Sequence, residues 1–238
     1  MSNRSKWNRP EAEMTVKTIQ VSQNVLSANR EIAENNRAKL DAAGVVALNL
    51  MASPGAGKTS LIERTIQGLE GRLRIGMINS DTSSAAMDAE RAEKAGAVAV
   101  HLNTVGRCHL DAGMIRDALD CLPLRDIDLL LIENIGNLVC PAAWRLGSHR
   151  NVLIASTPEG DDKPYKYPKM YNSVDALVIN KTDLLPYVSF DLDYFTRGVE
   201  VLNHGLETFP LSCRSGPGLD RWFDWIASLA VREAAMAR

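Results

Sequence analysis

Ala52-Ser53-Pro54-Gly55-Ala56-Gly57-Lys58-Thr59 decides how this chain is read. An apolar run, Val45-Val46-Ala47-Leu48-Asn49-Leu50-Met51, precedes it, and a segment of helical character, Ser60-Leu61-Ile62-Glu63-Arg64-Thr65-Ile66, follows. Strand, glycine-rich turn and helix in that order form the context of a phosphate-binding loop. Gly55 and Gly57 permit the tight turn that points successive N–H groups, those of Ala56 and Ser60 included, at phosphate oxygens by a helix N-terminus. Lys58 is expected to reach the β- and γ-phosphates and the Thr59 hydroxyl to hold Mg²⁺. Ala52 stands where G-x-x-x-x-G-K-[ST] has its first glycine. The competing reading is a glycine-rich turn without a ligand, and the flanking strand and helix count against it.

Working outward, 238 residues leave room for one large α/β domain or two small ones. At 45% hydrophobic and 24% charged the composition is that of a globular protein. A net charge of −2 gives no electrostatic reason to expect nucleic-acid or membrane partners. No apolar run approaches the ~20 residues of a membrane span, and no signal-peptide core follows the polar start, so a cytoplasmic location is expected. There the four cysteines, Cys108, Cys121, Cys140 and Cys213, would be reduced, favouring metal binding or burial over disulfides.

Residues 1–13 are expected to be disordered and 14–238 to form one P-loop domain with an N-terminal helix over 14–43. That helix is read from the stripe Val21, Val25, Leu26, Asn29, Ile32, Asn36 and Leu40, stopped by Gly44 and packed at the domain edge. Strands are predicted at 45–51, 73–79, 97–103, 128–133, 151–156, 175–180 and 207–211. Amphipathic stretches lie at 85–95, 110–121, 191–203 and 218–234. Near-continuous Val/Ile/Leu runs alternating with helices predict an α/β fold, a mostly parallel sheet covered on both faces.

Two further stretches bear on a nucleotide. Asn180-Lys181-Thr182-Asp183 follows a predicted strand and resembles the N-K-x-D base-reading motif of GTPases. A carboxylate at Asp183 can accept from both N1–H and the 2-amino group of guanine, a donor pair adenine lacks. Asn180 and the Lys181 stem would support the pocket, and Ser212-Cys213 sits where a small backbone-contacting loop is expected. The strand at 128–133 ends in Glu133, with Gly136 three residues on, the place of an acid near Mg²⁺ and of a glycine that senses the γ-phosphate. Asp81 and Asp88 are further candidates for Mg²⁺ or the attacking water, although Asp88 could equally pair with Arg91. Lys58, Asp81, Asp88 and Glu133 form the predicted catalytic set; Thr59, Asp81 and Glu133 form the Mg²⁺ set.

Cys108, His109 and Cys140 each follow an expected strand end on the edge that carries the nucleotide. Thiolate, imidazole and thiolate suit Zn²⁺ or Ni²⁺. From spacing alone the favoured reading is two small buried hydrophobes and an exposed helix-start histidine. Cys121 and Cys213 read as packing or loop cysteines, His101 as a structural strand residue, and His149 and His204 as surface or loop residues.

Taken together, Cys108-His109-Leu110-Asp111-Ala112, the run Glu133 to Ala142, the run Glu159 to Pro168, the NKTD and the helix with Asn29 and Asn36-Arg37 resemble the HypB family of hydrogenase nickel-incorporation GTPases. The resemblance covers about residues 21–230. It implies a GTPase of the signal-recognition/MinD-like class that hydrolyses GTP to GDP and phosphate and dimerises with nucleotide. It also implies nickel delivery to the large subunit of a [NiFe]-hydrogenase with a zinc-containing HypA-type partner, and Ni²⁺ or Zn²⁺ binding at Cys108, His109 and Cys140. Departures are the lack of cysteine or histidine in the N-terminal arm, Gly113 where some relatives carry histidine, and Ser80-Asp81 where the family has Gly-Asp. Lys163 and Lys166 are expected either to reach a phosphate, across a dimer, or to be solvated beside Asp161 and Asp162. The rivals are a urease-type sibling, whose Cys-Pro-His signature is absent, and an ATP-using P-loop kinase or synthetase with structural zinc.

Overall fold

Seven short stretches of β-branched and leucine-rich sequence form the frame: β1 (Val46–Ala52), β2 (Ile75–Asp81), β3 (Val98–Asn103), β4 (Leu129–Glu133), β5 (Arg150–Ser156), β6 (Ala176–Asn180) and β7 (Glu207–Pro210). The computed structural model describes residues 21–81 and 87–236. The expected disorder at 1–13 and the start of the expected N-terminal helix lie outside the described residues.

The strands pair in parallel in the order β3-β2-β4-β1-β5-β6-β7. Parallel pairing requires crossovers, and helices supply them on both faces. They are α1 (Val21–Ala43), α2 (Lys58–Gly68), α3 (Met87–Lys94), α4 (Ala112–Cys121), the short α5 (Lys163–Lys166) and α6 (Pro168–Asn172), α7 (Leu192–Leu202) and α8 (Leu219–Met236). Every residue of β1, β4 and β6 is buried, the signature of strands covered on both sides. Alternation sorts the side chains. Val46, Leu48 and Leu50 join Leu61, Ile66, Trp222 and Ile226 under α2 and α8. Ala47 meets Leu40, Ile115 and Leu119 under α1 and α4, while Met51 meets Leu153, Phe195 and Val199 under α7.

The predicted elements are present with ends shifted by one or two residues. In α1 the stripe turns slightly: Asn29, Asn36 and Leu40 are buried and Ala33 joins them, whereas Val25 is exposed. The helix packs on α4 rather than at an edge. The Asn36 amide donates to the carbonyls of Ala112 and Leu146, and Asn29 bridges the Ala112 N–H and the Arg145 carbonyl. Buried amides are costly unless bonded, so these contacts also fix the register of α1.

The β1–β4 side and the β5 side diverge at the C-terminal ends of the strands, the switch point at which doubly wound sheets bind ligands. All sequence-derived candidates gather on that edge. Among the described residues no helix is long and apolar enough to cross a membrane.

Candidate nucleotide site and metal centre

The turn between β1 and α2 owes its shape to two glycines. Gly55 has φ +79° and Gly57 φ +99°, and a Cβ on Gly57 would stand 2.4 Å from Asn180 Nδ2. Glycine is therefore required at 57 on both conformational and steric grounds. Asn180, buried at the end of β6, donates to the Ala56 carbonyl at 2.9 Å and accepts from the N–H groups of Lys181 and Cys213. Lys181 adopts the left-handed region at φ +62° and lays its ammonium on the Gly55 carbonyl at 2.6 Å. One asparagine and one lysine thus tie the glycine turn, the NKTD segment and the loop after β7 into a single unit.

Beside it opens a cavity of about 290 Å³, lined by Ser60, Lys181, Asp183, Leu184, Cys213 and Arg214 among others. Ser212 Oγ donates to Asp183 Oδ1 at 2.5 Å and holds the carboxylate. Burial pushes the Cys213 thiol up to about 11, so it lines the cavity as a neutral group. The residues assigned to base recognition converge on this space. The Ser53 hydroxyl, within the glycine turn, is buried without a hydrogen-bond partner among the described residues, an acceptor or donor of the kind a bound ligand satisfies.

On the other side of the turn, the Thr59 hydroxyl donates to Glu133 Oε1 at 3.0 Å and lies 3.3 Å from Asp88 Oδ2. Glu133 is only 4% exposed. Burial raises its pKa, against the bond from Asn79, the charge of Lys58 and the bond from Thr59. A hydroxyl and two carboxylates are the hard oxygen donors that Mg²⁺ prefers, so this group fits the ion. Asp88 also pairs with Arg91 at 3.4 Å, so both readings of that residue hold geometrically. Asp81 ends β2 opposite Asn103; its side chain lies outside the described residues.

Cys108, His109 and Cys140 come together, each offering a ligand atom within 4.8 Å of the others. Cys108 Sγ lies 3.1 Å from Cys140 Sγ and 3.5 Å from His109 Nδ1. The bond to Cys140 holds the Cys108 thiol above its ordinary range, while burial lowers His109. The His109 ring stacks on Trp144 with centroids 4.2 Å apart. His109 is thus a packed residue of the β3–α4 loop rather than an exposed helix start. Soft thiols with an imidazole match a Ni²⁺ or Zn²⁺ donor set short of its fourth ligand.

Two asparagines connect this centre to Glu133, and sequence reasoning gave neither a role. Asn134, 1% exposed, accepts from the N–H groups of Ile135 and Leu110 and donates to Asn49. Asn137 donates to the Cys108 carbonyl at 3.2 Å and accepts from the Val139 N–H at 2.8 Å, beside Cys140. Polar residues directly after a buried strand were the available signal.

Two sequence expectations need correction. His149 is buried, not superficial: Nδ1 accepts from the Ala47 N–H at 3.0 Å and Nε2 lies 2.9 Å from Asp41. Cys121 is exposed at the last turn of α4, where its thiol donates to the Asp117 carbonyl, rather than packed. His101 lies on β3 as expected, and its ring bonds Asn79 of β2. Lys166 pairs with Asp162, and Lys163 lies over the Tyr167 ring at 5.6 Å.

Fold and site define a P-loop nucleotide-binding protein built on a parallel seven-stranded sheet. A family model described as CobW/HypB/UreG, nucleotide-binding domain, matches residues 45–210. Hydrogenase maturation factor HypB of Rhizobium leguminosarum bv. viciae is 41% identical over 220 residues, 92% of this chain and 73% of that protein. The crystal structure of HypB from Helicobacter pylori in complex with nickel superposes with TM-score 0.82 at 31% identity, covering 87% of this chain and 97% of that one. HypB from Archaeoglobus fulgidus gives TM-score 0.80 at 36% identity over 86% and 99%. The chain belongs to the HypB family.

Proposed function

We propose that this protein is a GTP-hydrolysing metallochaperone that delivers nickel during [NiFe]-hydrogenase maturation. Asp183, held by Ser212, reads the guanine edge, and Asn180, Lys181 and Cys213 shape the pocket. The N–H groups from Gly55 to Ser60 and the Lys58 ammonium hold the phosphates. Thr59, Glu133 and Asp88, with Asp81, would hold Mg²⁺, which supplies charge neutralisation at the β- and γ-phosphates. The residues of this chain orient the nucleotide, exclude water from the buried Glu133 side, and position the attacking water near the acids.

Nickel is the cargo, taken by Cys108, His109 and Cys140, with Zn²⁺ as the competing ion. The observation that carries the reading is the single stretch Glu133-Asn134-Ile135-Gly136-Asn137. Its first residue bonds Thr59 of the phosphate loop, and its last bonds the backbone of Cys108. A displacement of Gly136 at the γ-phosphate therefore moves a metal ligand without a long relay. Gly136 has little room: a Cβ there would lie 3.2 Å from the Pro54 backbone nitrogen. A nucleotide-dependent homodimer would complete the coordination sphere, and a HypA-type zinc protein and the hydrogenase large subunit are the partners, in the cytoplasm.

The test compares mant-GDP with mant-ADP and measures GTP hydrolysis and Ni²⁺ binding in wild type and Cys140→Ala. Guanine-selective binding, GTP turnover and Ni²⁺ affinity lost in the variant are expected. Equal affinity for ADP, or Ni²⁺ binding unchanged by Cys140→Ala, would overturn the reading.

A further inference from the structure

We infer that His101 is a positioning residue for GTP hydrolysis, fixing the orientation of Asn79 that aims the Glu133 carboxylate at Thr59. The inference rests on the hydrolytic reading above and adds a residue to it.

The sheet register places His101 of β3 opposite Asn79 of β2, and Asn79 opposite Glu133 of β4. Registered partners share a face, so the three side chains form one row across the sheet. The neighbours Val100 and Leu102 pack on the opposite face under α4, and Ala99 packs on the His101 side. His101 Nδ1 lies 2.7 Å from Asn79 Oδ1, Asn79 Nδ2 donates to Glu133 Oε2 at 2.9 Å, and Thr59 Oγ donates to Glu133 Oε1 at 3.0 Å.

The proton directions along the row are determined from one end. A carboxylate only accepts, so the Asn79 NH₂ group must face Glu133. Its oxygen then faces His101, and Nδ1 must carry the imidazole proton. An Asn79 flipped by half a turn would present its oxygen to Glu133 and its NH₂ to a donor nitrogen, two repulsions at once. With its proton on Nδ1, His101 therefore reinforces the amide orientation that gives Glu133 a donor on each oxygen. His101 Nε2 is buried with no partner among the described residues. A residue present only to fill the strand would avoid that cost, which a leucine of similar reach does not incur.

The test uses His101→Leu, which fills space without a donor, and His101→Asn, whose amide nitrogen falls near the place of Nδ1. Losing one buried hydrogen bond to the hydrolytic acid's partner lowers kcat about 10-fold in His101→Leu. Mant-GDP affinity should stay within about two-fold, since nothing in the base pocket or glycine turn is touched. His101→Asn should recover most of the rate. In the GDP-bound wild type, long-range ¹H–¹⁵N NMR should show the His101 proton on Nδ1. Wild-type kcat in His101→Leu, equal loss in His101→Asn and His101→Leu, or a proton on Nε2 would overturn the assignment. If the wild-type protein binds GDP yet hydrolyses no GTP, the functional reading fails, and the NMR tautomer still decides the orientation of the row.

Discussion

Replacing Asn137 with alanine should loosen the metal centre while leaving the nucleotide pocket intact. The Asn137 side chain makes two hydrogen bonds, one to the Cys108 carbonyl at 3.2 Å and one from the Val139 N–H at 2.8 Å. It therefore sets the separation of the two cysteines, whose sulfurs lie 3.1 Å apart. Neutral hydrogen bonds contribute about 0.5–1.5 kcal/mol each, and Asn137 is half-buried, so the pair is worth about 1–2 kcal/mol. All of it falls on metal binding if the loops remain folded but lose their mutual register. At about 1.4 kcal/mol per tenfold, Ni²⁺ affinity should drop ~5–30-fold. Competition against a chromophoric chelator, with the nickel–thiolate absorption followed in parallel, measures this directly. Mant-GDP affinity measured on the same sample should be unchanged, because Asn137 touches neither Thr59 nor the base pocket. An Asn137→Ala protein that holds Ni²⁺ within two-fold of wild type would refute the reasoning, and so would equal losses of metal and nucleotide.

Asp183→Asn should weaken mant-GDP binding by at least about 100-fold, because the replacement turns one guanine-facing acceptor into a donor, with folding preserved through the Ser212 bond; fluorescence titration checks it, and near-wild-type affinity would remove the base assignment. Glu133→Gln should abolish most GTP hydrolysis yet raise the melting temperature, since burial already disfavours the carboxylate; a gain of about 1 kcal/mol is ~3 °C in a domain of this size. His149 gives a pH dependence. Burial holds its folded pKa below the unfolded 6.5, so its contribution is complete above that value and is lost as pH falls below it, by at most ~1.4 kcal/mol per pH unit. Thermal unfolding at about pH 7.5 and about pH 5.5 should show a steeper loss in wild type than in His149→Asn, whose oxygen keeps the Ala47 bond without titrating.

The apolar runs, the glycine turn and the NKTD segment were legible in the sequence because each is local. A buried strand needs no distant information to read as five to seven apolar residues, and Gly57 and Lys58 sit within one turn. The gathering of Cys108, His109 and Cys140 was implied by the family resemblance, since their placement at strand ends alone favoured plain packing. What escaped depends on register and on long separations. His149 reads as a surface or loop residue and does lie in the loop before β5, but its burial shows only when Ala47 and Asp41, about a hundred positions away, are brought to its two nitrogens. The His101–Asn79–Glu133 row exists only through the relative alignment of three strands. Cys121 read as a packing or loop cysteine, but α4 ends on it and Leu122 takes the buried position. Asn134 and Asn137 carry no periodic signal at all, and their roles come from loops closing on one another.

The central claim is that the nucleotide state sets the metal affinity of the Cys108–His109–Cys140 centre. The most direct measurement is Ni²⁺ affinity and stoichiometry, read with oligomer mass, for protein loaded with GDP and with a non-hydrolysable GTP analogue. The account predicts different affinities in the two states, both lost in Cys140→Ala, with metal shifting the nucleotide preference by the same factor. Identical Ni²⁺ binding in the two states would contradict it.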